Sequence, residues 1–153
     1  MKKNLIATIY LKNGKLVSGF NDYTEQDDLM ERIRLYNDNG IDKIYLFDLS
    51  DNDAEHELNL HTMKEINRVS EIPVYAGGNI NRLEDIKKIL YAGCKKAILN
   101  PVKDVTAQLS KEGAMRFGKE TLALSIHNVD LFFKQKEAVE NNTSELIVLY
   151  PAL

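Results

Sequence analysis

Tryptophan is missing from this chain, and cysteine and proline are nearly so: the sequence has no Trp, one Cys and three Pro. A single cysteine excludes an internal disulfide. Cys94 lies in Ala92-Gly93-Cys94-Lys95, the start of an apolar stretch, and reads as a small buried thiol of a reduced, cytoplasmic protein. No proline-rich or low-complexity linker interrupts the chain, so residues 1–153 read as one domain. No apolar run is long enough to span a membrane. The longest near the start, Leu5 to Leu11, is broken by Thr8 and lacks a cleavage site, so it reads as a strand and not as a signal peptide. A basic run is also missing, and the formal charge is −3. Nucleic acid therefore has no electrostatic footprint here. What remains is an ordinary globular balance of 44% hydrophobic and 28% charged residues, enough to bury a sizeable core.

Apolar periodicity then switches back and forth between two and 3.6 residues. Leu5–Leu11 is a β-branched strand ended by Asn13-Gly14, and Lys15–Phe20 can return as a short strand. Thr24, with Asp27 three residues on, predicts a helix start, and Leu29, Met30, Ile33 and Tyr36 carry its stripe as far as Gly40. Ile44–Leu49 is a strand covered on both faces. Residues 56–70 form a helix, Ile72–Ala76 a strand, and Asn81 with Glu84 opens a helix that Gly93 closes. Lys96–Leu99, Thr106–Phe117, Leu122–Ile126, Val129–Glu140 and Glu145–Tyr150 continue the alternation as strand, helix, strand, helix and strand. About six strands and about five helices in this order predict an α/β fold of right-handed parallel units. Periodicity leaves two architectures open: an open doubly wound sheet, or a partial barrel, a full one having eight strands.

Several local patterns succeed one another in a particular order. Tyr10-Leu11-Lys12-Asn13-Gly14-Lys15 follows the first strand, and Leu46-Phe47-Asp48-Leu49-Ser50 ends the second. Ile72-Pro73-Val74-Tyr75-Ala76-Gly77-Gly78-Asn79-Ile80 spans the third. Leu90-Tyr91-Ala92-Gly93-Cys94-Lys95-Lys96 leads into Ile98-Leu99-Asn100. This succession resembles the histidine-biosynthesis (β/α) barrels, namely the phosphoribosylformimino-aminoimidazole carboxamide ribotide isomerase and the cyclase subunit of imidazole glycerol phosphate synthase. The resemblance implies a partial TIM-type barrel of about six parallel strands. It also implies a phosphorylated ribose metabolite as ligand and acid/base chemistry on an aminoaldose, with no cofactor and no metal.

Departures from the family pattern sit at the chemistry. The family's acids at the ends of the first and fifth strands match Tyr10 and His127. Tyrosine, with a reference pKa of about 10, is a poor base near neutrality. Histidine titrates in the right range, so His127 is the candidate acid/base residue, with Tyr10 filling the space of a substrate. Asp48 matches the family's second-strand acid and either orients a hydroxyl or caps its own loop. Gly77, Gly78, Asn79 and Asn100 are the candidate phosphate-binding residues, or else make a tight strand-to-helix turn. The family's third glycine is Asn79 here, and its hydroxyl residue after the fourth strand is Pro101, which has neither hydroxyl nor N–H. His56 and His61, five apart on one helix, read as surface residues. The expected function is a barrel domain that has lost isomerase and cyclase activity, or else a non-catalytic phosphate-binding or assembly module. A chain stopping at the sixth strand is expected to expose Leu5–Leu11 and Leu146–Tyr150 as edges and part of its barrel lining. A second copy, or a larger pathway protein, would then cover them.

Overall fold

In the first strand, β1 (Ile6–Lys12), Ala7, Ile9 and Leu11 are buried on one face while Tyr10 is half-buried on the other. Asn13 and Gly14 both take positive φ, 54° and 75°. That is the two-residue turn whose twist suits a hairpin, and Lys12 duly sits opposite Lys15 as the chain returns antiparallel in β2 (Lys15–Gly19). The structure is a computed structural model that describes residues 4–101, 103–126, 130, 133, 136 and 139–148.

The segment after β2 departs from the sequence expectation. Thr24 does not open a helix but lies in a third strand, β3 (Asp22–Glu25), paired antiparallel with β2. Asp22 accounts for this. Its Oδ1 accepts from both the amide (3.0 Å) and the hydroxyl (2.6 Å) of Thr24, while the Gln26 amide donates to the Leu16 carbonyl at 2.8 Å. The helix α1 (Leu29–Asp38) starts later, with Asp28 as its N-cap accepting from the Met30 and Glu31 amides.

From there strand and helix alternate: β4 (Lys43–Asp48), α2 (Asp53–Val69), β5 (Val74–Gly77), α3 (Leu83–Tyr91), β6 (Lys96–Leu99), α4 (Thr106–Phe117), β7 (Leu122–Ile126) and β8 (Glu145–Val148). Asp130, Phe133, Lys136, Val139 and Glu140 are helical; the rest of the helix expected there lies outside the described residues. The α3 start also differs from expectation. Asp85, not Glu84, closes it, accepting from the amides of Asn81 and Arg82 at 2.9 and 3.0 Å.

The strands form one eight-stranded sheet in the order β3-β2-β1-β4-β5-β6-β7-β8. The six from β1 through β4–β8 run parallel, and the β2–β3 hairpin extends the sheet beyond β1. The sheet is not closed, which is the architecture of a partial (β/α) barrel. The helix-facing side carries the larger core, with Ile9, Leu11, Ile44, Leu46, Met63, Ile66, Ile86, Leu99 and Leu122 packed together.

Two expectations about exposure are overturned. Hydrogen bonding of Tyr10–Lys12 to β2 means that β1 is not an open edge along its C-terminal half. Nor is the barrel-lining face left to water: Phe47, Tyr75, Ile98, Ala123 and Ile147 are buried as a second cluster, joined by Tyr10, Tyr45 and Leu49. Aromatic rings supply enough volume on that face to bury one another.

Candidate functional site at the strand ends

Parallel packing brings the C-terminal ends of β1, β4, β5 and β6 to one mouth, the edge where such folds place their chemistry. Tyr10 stands there as an aromatic plug. Its ring meets Phe20 edge-on at 4.8 Å and stacks on Phe47 at 6.0 Å, and Phe20 contacts Phe47 at 5.1 Å. Phe20 comes from the turn between β2 and β3, so the hairpin folds back over the strand ends. Burial pushes the Tyr10 hydroxyl above its ordinary pKa of 10.0, which keeps it a neutral phenol near neutrality.

Behind the plug is a cavity of about 90 Å³ lined by Gly78, Asn79, Asn100, Lys103, Ser125 and the two phenylalanines among others. Ligand pockets usually reach about 300 Å³ or more, so this one has room for a phosphoryl-sized group and not for a nucleotide. Three of the four expected phosphate-binding residues meet there. Gly77 does not line it: a Cβ at Gly77 would sit 2.9 Å from the Ile98 Cβ, so its smallness serves the packing of β5 on β6. Gly78 is needed for a different reason. Its φ is 92°, and a Cβ would lie 2.3 Å from the Asp48 carbonyl oxygen. Asn79 also takes a left-handed conformation, φ 57°. Its amide pins the loop by donating to the Asp48 carbonyl (3.2 Å), the Ser50 carbonyl (2.7 Å) and the Ser50 hydroxyl (2.9 Å).

Lys103 was not singled out from the sequence. It follows Asn100-Pro101 in the loop after β6, lines the cavity, and donates from Nζ to Asn81 Oδ1 at 2.7 Å. Burial lowers its pKa, a cost that an anion in the cavity would offset. A lysine three residues beyond a strand-end asparagine was the available signal.

Asp48 is turned toward α2. Its Oδ1 accepts from the Ser50 amide at 2.9 Å and from Asn59 Nδ2 at 2.5 Å, and its Oδ2 is paired with His56 Nδ1. Burial pushes the Asp48 carboxyl up, but the hydrogen bonds from His56, Asn59 and Ser50 outweigh burial and hold it below its ordinary value. The Asp48 bond in turn raises the pKa of His56, against the opposing effect of burial. His56 is thus not the surface residue expected; it is 8% exposed, whereas His61 is exposed. Helical spacing carried the signal, since His56, Leu60 and Met63 share the buried stripe of α2. Asn59 extends the network by donating to the Leu11 carbonyl at 3.1 Å and accepting from the Gly14 amide at 2.7 Å. Hairpin, strand end and helix are joined through this one amide. His127 lies outside the described residues.

Among the described residues no group of three or more His, Cys, Asp or Glu is placed to hold a metal ion. No helix among them is long and apolar enough to cross a membrane. The family model "Histidine biosynthesis protein" matches residues 4–149. The chain is similar to the imidazole glycerol phosphate synthase subunit HisF of Helicobacter hepaticus, 33% identical over 128 residues, which are 82% of this chain and 51% of that protein. It is likewise similar to the HisF subunits of Halalkalibacterium halodurans and Bacillus pumilus, each 30% identical over the same shares. It spans about half the length of the curated relatives it matches. With its open sheet of parallel strands and its strand-end glycine loop, the chain belongs to the histidine biosynthesis protein family of (β/α) barrels.

Proposed function

We propose that this chain is a HisF-like barrel domain that has lost the family's aminoaldose chemistry and keeps a small phosphate site at its strand ends. The observation that carries this reading is the aromatic plug. Tyr10 occupies the position of the family's first-strand acid and spends its ring on Phe20 and Phe47. A positioned acid/base group typically contributes about a hundredfold to ten-thousandfold in rate, and a neutral phenol held by stacking supplies no base. Lys103, Asn100 and the loop amides of Gly78 and Asn79 favour an anion behind the plug. The relatives are named as subunits of a synthase, so the same domain also fits an assembly role, alongside a partner chain or a second copy of itself.

The purified chain is expected to show no detectable isomerisation or cyclisation of the family's phosphoribosyl substrates. Turnover that disappears on His127→Ala would overturn this. Inorganic phosphate, followed by NMR, is expected to shift the amides of Gly78 and Asn100 before others and to saturate. Saturating phosphate without movement there would remove the phosphate site.

A further inference from the structure

The strand-end cavity has two unlike walls. On one side stand groups suited to an oxyanion: the Gly78-Asn79 loop, Asn100, Lys103 and Ser125. On the other the lining is apolar, made of Phe20, Phe47, Ile80 and Ile98. Three of these four are built into the core: Phe47, Ile80 and Ile98 are 4%, 5% and 2% exposed. Phe20 is the exception. It is 39% exposed and belongs to the two-residue turn Phe20-Asn21 between β2 and β3. The tip of that hairpin is lightly built. Every residue of β3 is exposed, the β2–β3 register shifts between Val17 and Gly19, and the space around Gly19 is open. The Phe20 ring is seated on Tyr10 and Phe47, at 4.8 and 5.1 Å.

A phosphate ester differs from the free ion in a way this geometry reads. With its free oxygens turned to Lys103, Asn100 and the loop amides, the ester oxygen and its substituent must leave on the opposite, aromatic side. The cavity of about 90 Å³ holds the ion but falls well short of the roughly 300 Å³ of an ordinary ligand pocket. A substituent therefore has space only where the Phe20 ring stands. We propose that Phe20 sets the ligand size of the strand-end site: with its ring on Tyr10 and Phe47 the site accepts inorganic phosphate and rejects a phosphorylated sugar, and without the ring it admits the sugar. The proposal rests on the reading of this mouth as a phosphate site. Seating an ester in the natural chain breaks two aromatic contacts, each favourable beyond the area it buries, whereas the polar wall that meets the ion is made without Phe20.

Inorganic phosphate and D-ribose 5-phosphate, titrated separately into the ¹⁵N-labelled full chain and into Phe20→Ala, test it through the amides of Gly78 and Asn100. In the natural chain inorganic phosphate is expected to saturate these shifts and to leave the turn amides of Gly19 and Asn21 still. Ribose 5-phosphate is expected to bind Phe20→Ala roughly tenfold or more tightly than it binds the natural chain, while inorganic phosphate gains nothing from the substitution. If Phe20→Ala fails to fold, Phe20→Leu keeps an apolar contact with Tyr10 and Phe47 and is expected to change the preference in the same direction by less. Inorganic phosphate that binds, together with ribose 5-phosphate bound equally well by natural and substituted chains, would overturn the role of Phe20 and leave the phosphate site standing. Neither ligand moving Gly78 or Asn100 in any of these proteins would remove both.

Discussion

A buried carboxylate and a buried imidazole, each holding the other charged, make stability depend on pH from two sides. Asp48 lies below its ordinary value of 3.8 in the folded protein and His56 lies above its ordinary 6.5. A depressed carboxyl contributes stability that is present above 3.8 and is lost as pH falls through its folded pKa. A raised imidazole contributes stability that is complete below 6.5 and is lost as pH climbs through its folded pKa. The pair therefore contributes fully between about pH 4 and 6.5. Within that window His56→Asn is expected to cost about 2 kcal/mol, the scale of a charged hydrogen bond, with a smaller cost on either side. Urea denaturation of both proteins across pH measures this, and an NMR titration of His56 with its midpoint at or below 6.5 would contradict it. Little in the residue order announces this pairing. Asp48 and His56 are eight residues apart, on a strand end and a helix, and only the packing of α2 against β4 joins them. What could be read was that His56 and Asn59 fall within a stripe that also holds Leu60 and Met63.

Among the elements, those whose ends are set by their own side chains were the most legible. Strand β6 and helix α4 each form over the stretch their periodicity predicts, as does β7, because continuous apolar residues or a repeating apolar face leave one register that buries them. The β2–β3 hairpin was legible only in part. Asp22-Tyr23-Thr24-Glu25 is exposed along its whole length, so no burial pattern marks it as a strand, and Thr24 followed by acids mimics a helix start. Pairing with β2 and the Asp22 turn decide against that alternative. Substitution separates the two arrangements. Asp28→Ala removes the N-cap and is expected to cost about 1 kcal/mol. Thr24→Ala, on an exposed strand, is expected to cost less than half of that. The reverse order in thermal or chemical melts would place the helix start at Thr24.

At the scale of the whole molecule, the two ends of the sheet differ in how they are protected. Strand β3 carries Asp22 and Glu25 and presents only exposed residues, features that discourage pairing with another sheet. Strand β8 is no longer than β3 but lacks this exposed charge. Among the described residues it pairs with β7 alone, and its one charged residue, Glu145, is drawn inward by Lys96 at 3.1 Å and by the Tyr75 hydroxyl at 3.1 Å. Leu146 on the same strand is 49% exposed. The sequence pointed to both β1 and β8 as open edges; the hairpin covers Tyr10–Lys12 of β1, and the exposed Leu146 makes β8 the stronger candidate for self-association. Antiparallel pairing of two β8 strands about a two-fold axis would satisfy their outer N–H and C=O groups and cover Leu146, in the commonest oligomer symmetry. The chain is thus expected to be dimeric by light scattering at micromolar concentration. Leu146→Lys should shift it to monomer, since charge at a half-exposed edge position disfavours pairing while the buried side chain of Ile147 keeps β8 seated on β7. A monomer across a wide concentration range, or a dimer indifferent to Leu146→Lys, would remove β8 as the contact.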